Sequence, residues 1–414
     1  MSWLSGFCQT TCGDLMQLSK IVCRAVNLPV RFAFGHSLAS RNHSVNIIVE
    51  ATLFDGEHVV AGLGESVPRH YVTGETANSV LKALNERFIP QLVGREFASV
   101  DALLLFLQHL FFEEGLDLTP GGASFAALEL AIVDACARYL GKPLYAMPAY
   151  ISALSNKSGN IWTDNISDSE RFIKYGGVVP FGKQKTLAAL LYFYRFYGFS
   201  TVKLKVGGDP DGDVVKVKLA RSIMGDHALI RVDANCAWDL SQAERTLERM
   251  RPYGIASVEQ PLKPGDSDLP FLKRQIPEVI VADESLTTFA DAKKLIETKS
   301  CGAFNIRISK VGGIFAAMRL VEMAQNASLE CHLGAQVGES GILASAQRHF
   351  ALAWPHFANI EGAMNLFLLK RDLTSECETV PLGACASVRA RDGRGLGVTL
   401  KRSLMQSLTV GGAL

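Results

Sequence analysis

Two hydrophobic periods divide the chain. Over residues 22–34 and 45–53, apolar and polar positions alternate with the period of two that a half-buried strand requires. Asp55 and Gly56 separate the second of these runs from a third at 59–63, the spacing of a hairpin. The period then lengthens to that of a helix over 79–88, 100–112 and 126–140, the last of which stops at Gly141 and Pro143. Residues 1–145 therefore predict an α+β domain of three strands followed by helices.

From residue 177 short apolar runs and helical stretches take turns. Strands are predicted at 178–181, 201–206, 229–235, 256–261, 279–285, 303–310, 329–334 and 357–362. Helices are predicted between them at 185–197, 213–224, 241–250, 269–274, 290–297, 314–326 and 342–352. Eight such strands predict an α/β fold, a TIM-like barrel of the (β/α)8 or modified (β/α)7β form, with catalytic groups at the C-terminal strand ends. A doubly wound open sheet is the alternative. The polar, patternless stretch 150–174 reads as a loop between the domains.

Composition narrows the function. With 42 Lys plus Arg against 41 Asp plus Glu, the net charge of +1 supplies no field to draw in nucleic acid or an anionic membrane, so neither is expected as a partner. The apolar-rich run 125–137 is broken by Glu129 and Asp134, and the first twelve residues lack the basic lead and apolar core of a secretory signal. A soluble, cytoplasmic protein is expected. Nine cysteines without a CxxC pair signal neither a disulfide framework nor a zinc knuckle. The Gly-Gly pairs fit no phosphate-binding loop, and the aromatic residues at 106–112 and 192–197 suit helical core or an oligomer face.

The ends of the predicted strands carry Lys203 and Lys205, Asp233 and Asn235, Glu259 and Gln260, Asp283 and Glu284, and Lys310. Successive intervals from Lys205 to Asp233, Glu259, Asp283 and Lys310 are 28, 26, 24 and 27 residues, one βα unit each. Three carboxylates converging from neighbouring strands repel one another unless a cation holds them. Oxygen-only donors favour Mg²⁺ over zinc, with Mn²⁺ as a substitute. Such an ion, bound to a substrate carboxylate, stabilises the charge that appears when the neighbouring carbon loses a proton. Lys203 two residues from Lys205, near a metal ion, disfavours an ammonium and makes a lysine base available. The pattern predicts abstraction of a proton α to a carboxylate.

Five motifs taken in order, KLK at 203–205, DAN at 233–235, EQP at 259–261, DES at 283–285 and KVGG at 310–313, resemble the enolase superfamily in its muconate-lactonizing subgroup. Residues 126–145 resemble that family's helix joining a capping domain to the barrel, and GRGLGV at 393–398 its C-terminal return. The resemblance implies a capping domain at 1–145 rejoined by the tail 390–414, and a catalytic barrel at 146–389. It implies Asp233, Glu259 and Asp283 as Mg²⁺ ligands, Lys205 and Lys310 on opposite faces of the substrate, and Lys203 as their electrostatic partner. Capping loops at 34–46 and 68–76 would read the distal part of the substrate, making His36, Arg69, His70 and Tyr71 candidates for specificity. Asn235, Glu339 and Glu361 are further candidates for substrate binding. The Asp-x-Asp with which dipeptide epimerases of the family hold a substrate amine is replaced by NIEG at 359–362, which disfavours a dipeptide. The KxK argues against the branch that uses a His-Asp base, despite His332. A homo-oligomer, dimer or octamer, is implied.

The expected function is that of a Mg²⁺-dependent isomerase acting on a small-molecule carboxylate through an enolate. Two exchanging lysines give racemisation or epimerisation, as with N-acyl amino acids or dipeptides. One gives muconate-like cycloisomerisation, or syn elimination of water as in o-succinylbenzoate synthesis. Two rivals are a non-catalytic carboxylate-binding barrel and a Schiff-base lysine aldolase, which leaves the three carboxylates unexplained.

Overall fold

The alternating N-terminal runs form an antiparallel sheet in the order β3-β2-β1-β4, from β1 (Met16–His36), β2 (Ala39–Phe54), β3 (Val59–Ser66) and β4 (Glu96–Phe97). These positions come from a computed structural model, which describes residues 15–36, 39–112, 122–155, 161–163, 166, 172–362, 364–375, 385–387 and 394–410, without the side chains of 32–42, 172 and 385–387. The two-residue β4, beside β1, is a fourth strand that the sequence pattern did not announce. The described residues of the stretch 34–46 are strand rather than loop: β1 and β2 stay paired out to His36 and Ala39.

Helix Gly122–Tyr139 packs on this sheet and is buried from Gly122 to Ala137. Its approach depends on Gly62 and Gly64 of β3, where a Cβ would overlap the helix backbone at Ala131 and Ala127. Helix 79–88 begins earlier and changes winding, running as Ala77–Ala83, a wider π turn at Leu84–Phe88 and a tighter 3-10 turn at Ile89–Gln91 in which Pro90 removes an amide donor.

β5 (Phe172–Lys174) leads into eight parallel strands: β6 (Gly177–Val179), β7 (Thr201–Lys205), β8 (Leu229–Asp233), β9 (Ile255–Glu259), β10 (Val279–Ala282), β11 (Ala303–Ile306), β12 (Glu330–Leu333) and β13 (Asn359–Ile360). β14 (Cys385–Ser387) returns antiparallel to β5. The sheet closes where Gly176 N donates to Ile360 O at 2.8 Å, which excludes the open doubly wound arrangement. Each interval between these strands holds a helix of at least seven residues, starting at Gln184, Pro210, Leu240, Leu269, Phe289, Ile314 and Gly341. Among the described residues β13 is followed directly by the one-turn helix Asn365–Leu368, and the later helix Arg402–Leu408 packs against β1 rather than the barrel, so the barrel is of the (β/α)7β form. Side chains of Asp209, Asp239 and Thr288 accept amide hydrogen bonds at three of these helix starts, which is why the helices begin where they do.

The stretch 150–174 holds the end of helix Met147–Leu154 as well as β5, since Met147 and Ile151 bury against neighbouring helices and Tyr150 bonds to Asp101. Lys310 does not end a strand. The pairing of β11 stops at Ile306, and Lys310 sits on a one-turn helix, Ile308–Val311, beyond it.

The tail meets the N-terminal domain: Leu396 N donates to Asp134 Oδ1 at 2.7 Å, Arg138 Nη2 to Val398 O at 3.1 Å and Val410 N to Ala25 O at 2.9 Å. No described helix is long and apolar enough to cross a membrane.

Candidate active site

In a ring of eight strands β7 and β11 are four apart, so Lys205, which ends β7, and Lys310, on the turn after β11, face each other across the barrel mouth. The expected metal ligands lie on the arc between them. Lys205, Asp233 and Glu259 occupy one register row on β7, β8 and β9, and Asp283 follows β10 directly.

All of these groups are buried. Lys205 Nζ donates to Asp233 Oδ2 at 2.6 Å and to Asn235 Oδ1 at 2.8 Å. Lys203 Nζ reaches Glu259 Oε1 at 2.9 Å, Glu361 Oε2 at 2.8 Å and Asp233 Oδ2 at 3.4 Å. Lys310 Nζ donates to Asp283 Oδ1 and Asp283 O, both at 2.8 Å, and to Asn305 O at 2.9 Å. Arg307 pairs with Asp283 and lies 3.5 Å from Glu259 Oε1. The carboxylates are thus interleaved with cations. Among the described residues no three His, Cys, Asp or Glu side chains are drawn together as a cluster that could hold a metal ion.

The donor chemistry nonetheless fits a hard divalent cation. Asp233, Glu259 and Asp283 offer only oxygen, and beside them Glu284 Oε2 is buried with no hydrogen-bond partner among the described residues. Counted as ions, Asp233, Glu259, Asp283, Glu284 and Glu361 balance Lys203, Lys205, Arg231, Arg307 and Lys310, five against five.

Three of the five described non-glycine residues with a left-handed backbone stand at the ends of β8 and β9. Asn235, Cys236 and Gln260 have φ of 44°, 64° and 40°, in the left-handed region that non-glycine residues rarely enter. The turn at Asn235 lets its side chain bridge Lys205 and Glu284, to which Nδ2 donates at 2.9 Å. The turn at Gln260 brings its Oε1 to the amides of Asp283, at 3.1 Å, and Ser285, at 3.0 Å, fixing the DES segment.

Burial alone would neutralise the Lys203 ammonium, but Glu259, Glu361 and Asp233 outweigh it and hold the proton on. Lys203 is therefore not the lysine whose pKa is lowered; its surroundings suit an electrostatic partner. Burial dominates at Lys310 and pushes it down, against the pull of Asp283. Burial and the neighbouring Asp283 and Asp233 push Glu284 up to about 7. Asp233 is held low despite its burial by Lys205 and Lys203, and Glu361 likewise by Lys203 and Arg231.

The specificity candidates divide. Glu361 is committed to the barrel interior, with Oε1 2.8 Å from Arg231 Nη1 and Oε2 bound by Lys203. Arg69 is buried and fastens the capping domain to the loop after β12, donating to Val337 O at 2.5 Å and Ser44 Oγ at 3.1 Å. Glu339, in that loop, accepts from Gln336 N at 2.6 Å, and burial raises it to about 8. Tyr71 is half-buried and His70 exposed on the short helix His70–Thr73. His36 lies in β1, and its side chain lies outside the described residues. His332 meets Arg231 Nη2 through Nδ1 at 2.9 Å, inside the barrel below the carboxylates.

Arg231, Arg307 and Asn305 were missed from the sequence. Strand side chains alternate, so Arg231 points inward like Asp233 two residues on, and Asn305 like Arg307. Arg231 and Asn305 lie within their strands and Arg307 just past the end of β11, so none of them stands at a strand end.

Comparison with known proteins decides the family. Residues 18–147 match the N-terminal domain of mandelate racemase / muconate lactonizing enzyme, and residues 186–404 match the enolase C-terminal domain-like family. The chain belongs to the mandelate racemase/muconate lactonizing enzyme family. Among relatives within it, an L-Lys-D/L-Arg epimerase of Methylococcus capsulatus is 30% identical over 85% of this chain and 92% of its own. An N-succinyl-L-Arg/Lys racemase of Bacillus cereus is 26% identical over 95% of this chain and 98% of its own. The solved structure of the L-Ala-D/L-Glu epimerase of Bacillus subtilis superimposes with a TM-score of 0.78 at 27% identity, covering 92% of this chain and 98% of that one. A dipeptide epimerase of Enterococcus faecalis, solved with Mg and L-Leu-L-Tyr, shares the fold with a TM-score of 0.78 at 23% identity, covering 93% and 99%. These relatives are racemases and epimerases, which are isomerases.

Proposed function

We propose that this protein is a Mg²⁺-dependent racemase or epimerase that exchanges the α-proton of an N-acylated α-amino acid, with Lys205 and Lys310 as the acid-base pair. The observation that carries the reading is the opposition of these two lysines across the mouth, with three carboxylates on the arc between them. One group that removes a proton and another that returns one from the far side invert a carbon; a single base does not.

Mg²⁺, or Mn²⁺ in its place, held by Asp233, Glu259 and Asp283 would supply positive charge to fix the substrate carboxylate and to stabilise the anion formed beside it. The chain's own charges suit that occupant. The ten ionised side chains sum to zero, and a divalent cation, one substrate carboxylate and one neutral lysine keep the sum there. Lys310, pushed down by burial, is already disposed to be that neutral lysine, while Lys203, held charged, keeps Glu259 and Glu361 in place. Asn235 aims Lys205, and Gln260 holds the segment that bears Asp283.

Glu361 supports an acylated nitrogen over a free amine, since both its oxygens are taken by Arg231 and Lys203. The names of most relatives favour the second reading, a dipeptide, in which the first residue is the acyl group. We place the domain division at 145/146, with the tail 390–414 belonging to the capping domain. The test is chiral chromatography of enantiopure N-succinyl and N-acetyl amino acids and of dipeptides, incubated with the protein and Mg²⁺. Conversion of the acylated compounds at higher kcat/KM than the dipeptides is expected, and no inversion in any compound contradicts the proposal.

A further inference from the structure

The two lysines are supported by different parts of the molecule. Every hydrogen bond described to Lys205 comes from the barrel: Asp233 and Asn235 hold its Nζ, and Lys216 Nζ donates to its carbonyl at 2.5 Å. Lys310 stands on a turn that has left the barrel sheet, and the capping domain grips that turn at two places and the start of the helix after it at a third. Val67 N donates to Ser309 Oγ at 2.8 Å. Gly122 lies against Lys310 itself, where a Cβ would come within 2.7 Å of Lys310 O. Glu129 accepts from Ile314 N at 2.9 Å through Oε2 and from Phe315 N at 2.7 Å through Oε1.

Glu129 is the strongest of the three. It is fully buried, and it satisfies two amide donors at the start of helix Ile314–Asn326 that have no acceptor within that helix. Only Gly312 and Gly313 separate that helix from the turn bearing Lys310, and both have left-handed φ, 106° and 107°. A Cβ on Gly313 would stand 2.5 Å from Glu129 Oε2, so the carboxylate fills the space the glycine leaves. On the same helix Asp134 accepts from Leu63 N at 2.9 Å and Leu396 N at 2.7 Å, which fixes Glu129's helix to the capping sheet and the tail.

We propose that Glu129 is a positioning residue for Lys310 alone, through which the capping domain governs proton transfer on one face of the substrate while the barrel governs the other through Lys205. The inference rests on the two-lysine reading above. Without Glu129 the amides of Ile314 and Phe315 lose their acceptors, the glycine pair no longer has a fixed stop, and Lys310 leaves its place beside Asp283. Misplacement of a catalytic group by about 1 Å costs up to ~10²-fold in rate.

The experiment measures α-proton exchange from D₂O separately for each enantiomer of a turned-over N-acyl amino acid, with Mg²⁺ present. Wild type is compared with Glu129→Ala and Glu129→Gln. Lys205→Ala and Lys310→Ala assign the faces, because each spares exchange only on the other lysine's side. In the Glu129 variants, exchange on the Lys310 face falls ~10-fold or more, exchange on the Lys205 face stays within about twofold, and KM for either enantiomer changes little. Glu129→Gln, which keeps the volume and one acceptor, falls less than Glu129→Ala and carries the comparison if the latter does not fold. Equal loss on both faces, or loss on neither, overturns the inference and leaves the two-lysine reading intact. A wild type inert on both faces overturns that reading instead.

Discussion

Lys205 and Asp233 are register partners on adjacent strands, and Lys205 Nζ lies 2.6 Å from Asp233 Oδ2. One carboxylate therefore serves the proposed base and the proposed metal site together. EDTA is expected to abolish activity, and Mg²⁺ or Mn²⁺ to restore it. Asp233→Asn should weaken Mg²⁺ binding by at least ~10-fold in titration calorimetry. Activity that persists through chelation would contradict the metal assignment.

Lys203 answers three carboxylates from within the barrel, Glu259, Glu361 and Asp233. Removing one partner of a buried ion pair costs about 3–5 kcal/mol, because the remaining charges lose their compensation. Lys203→Ala is expected to lower the urea unfolding free energy by about that amount. A loss under about 1 kcal/mol would mean that Arg231 alone suffices for Glu259 and Glu361.

Stability should fall as pH rises from about 6.5 to about 8. Burial raises Glu65 to about 7 and Glu129 and Glu339 to about 8, from 4.5. Between those values the folded chain keeps protons that the unfolded chain has released, so raising pH favours unfolding. Below about 6.5 the buried, neutral His349, lowered to about 3, acts in the opposite sense, because the unfolded histidine takes up a proton and the folded one does not. The slope is thus cleanest above 6.5. Urea midpoints measured across this window should decline, and Glu129→Gln should shallow the decline.

Gly64 meets the backbone of helix Gly122–Tyr139, where a Cβ would stand 2.7 Å from Ala131 N and overlap Ala127 O. Gly64→Ala should cost about 1–3 kcal/mol by forcing sheet and helix apart. A neutral result in chemical denaturation would show that the interface can yield.

Most of the barrel was legible in the sequence because buried parallel strands and amphipathic helices carry separable periods. Helix Ile314–Asn326 begins and ends as its pattern predicts. The short pieces were not legible. β4, two residues long, and the turn Ile308–Val311 are shorter than any period that could announce them, and strand hydrogen bonds extend the hairpin into residues that the family resemblance had assigned to a capping loop. At the site, Asp233, Glu259 and Asp283 stood out because carboxylates at strand ends are conspicuous. Arg307 and Arg231 did not, because nothing in the chain order says that their charges answer those carboxylates across the barrel. Glu129 resembled an interruption in an apolar helix, and only the fold reveals the two amides it holds.

The central claim is that Lys205 and Lys310 exchange protons at one carbon from opposite sides. The most direct test is the α-deuterium content of both enantiomers of an N-acyl amino acid after incubation in D₂O with Mg²⁺, for wild type, Lys205→Ala and Lys310→Ala. Uptake with inversion is expected in wild type. In each variant inversion should slow by ~10²- to 10⁴-fold, with exchange without inversion surviving for one enantiomer only, and for opposite enantiomers in the two variants. Uptake that survives for the same enantiomer in both variants, or inversion that persists without either lysine, would overturn the two-lysine assignment.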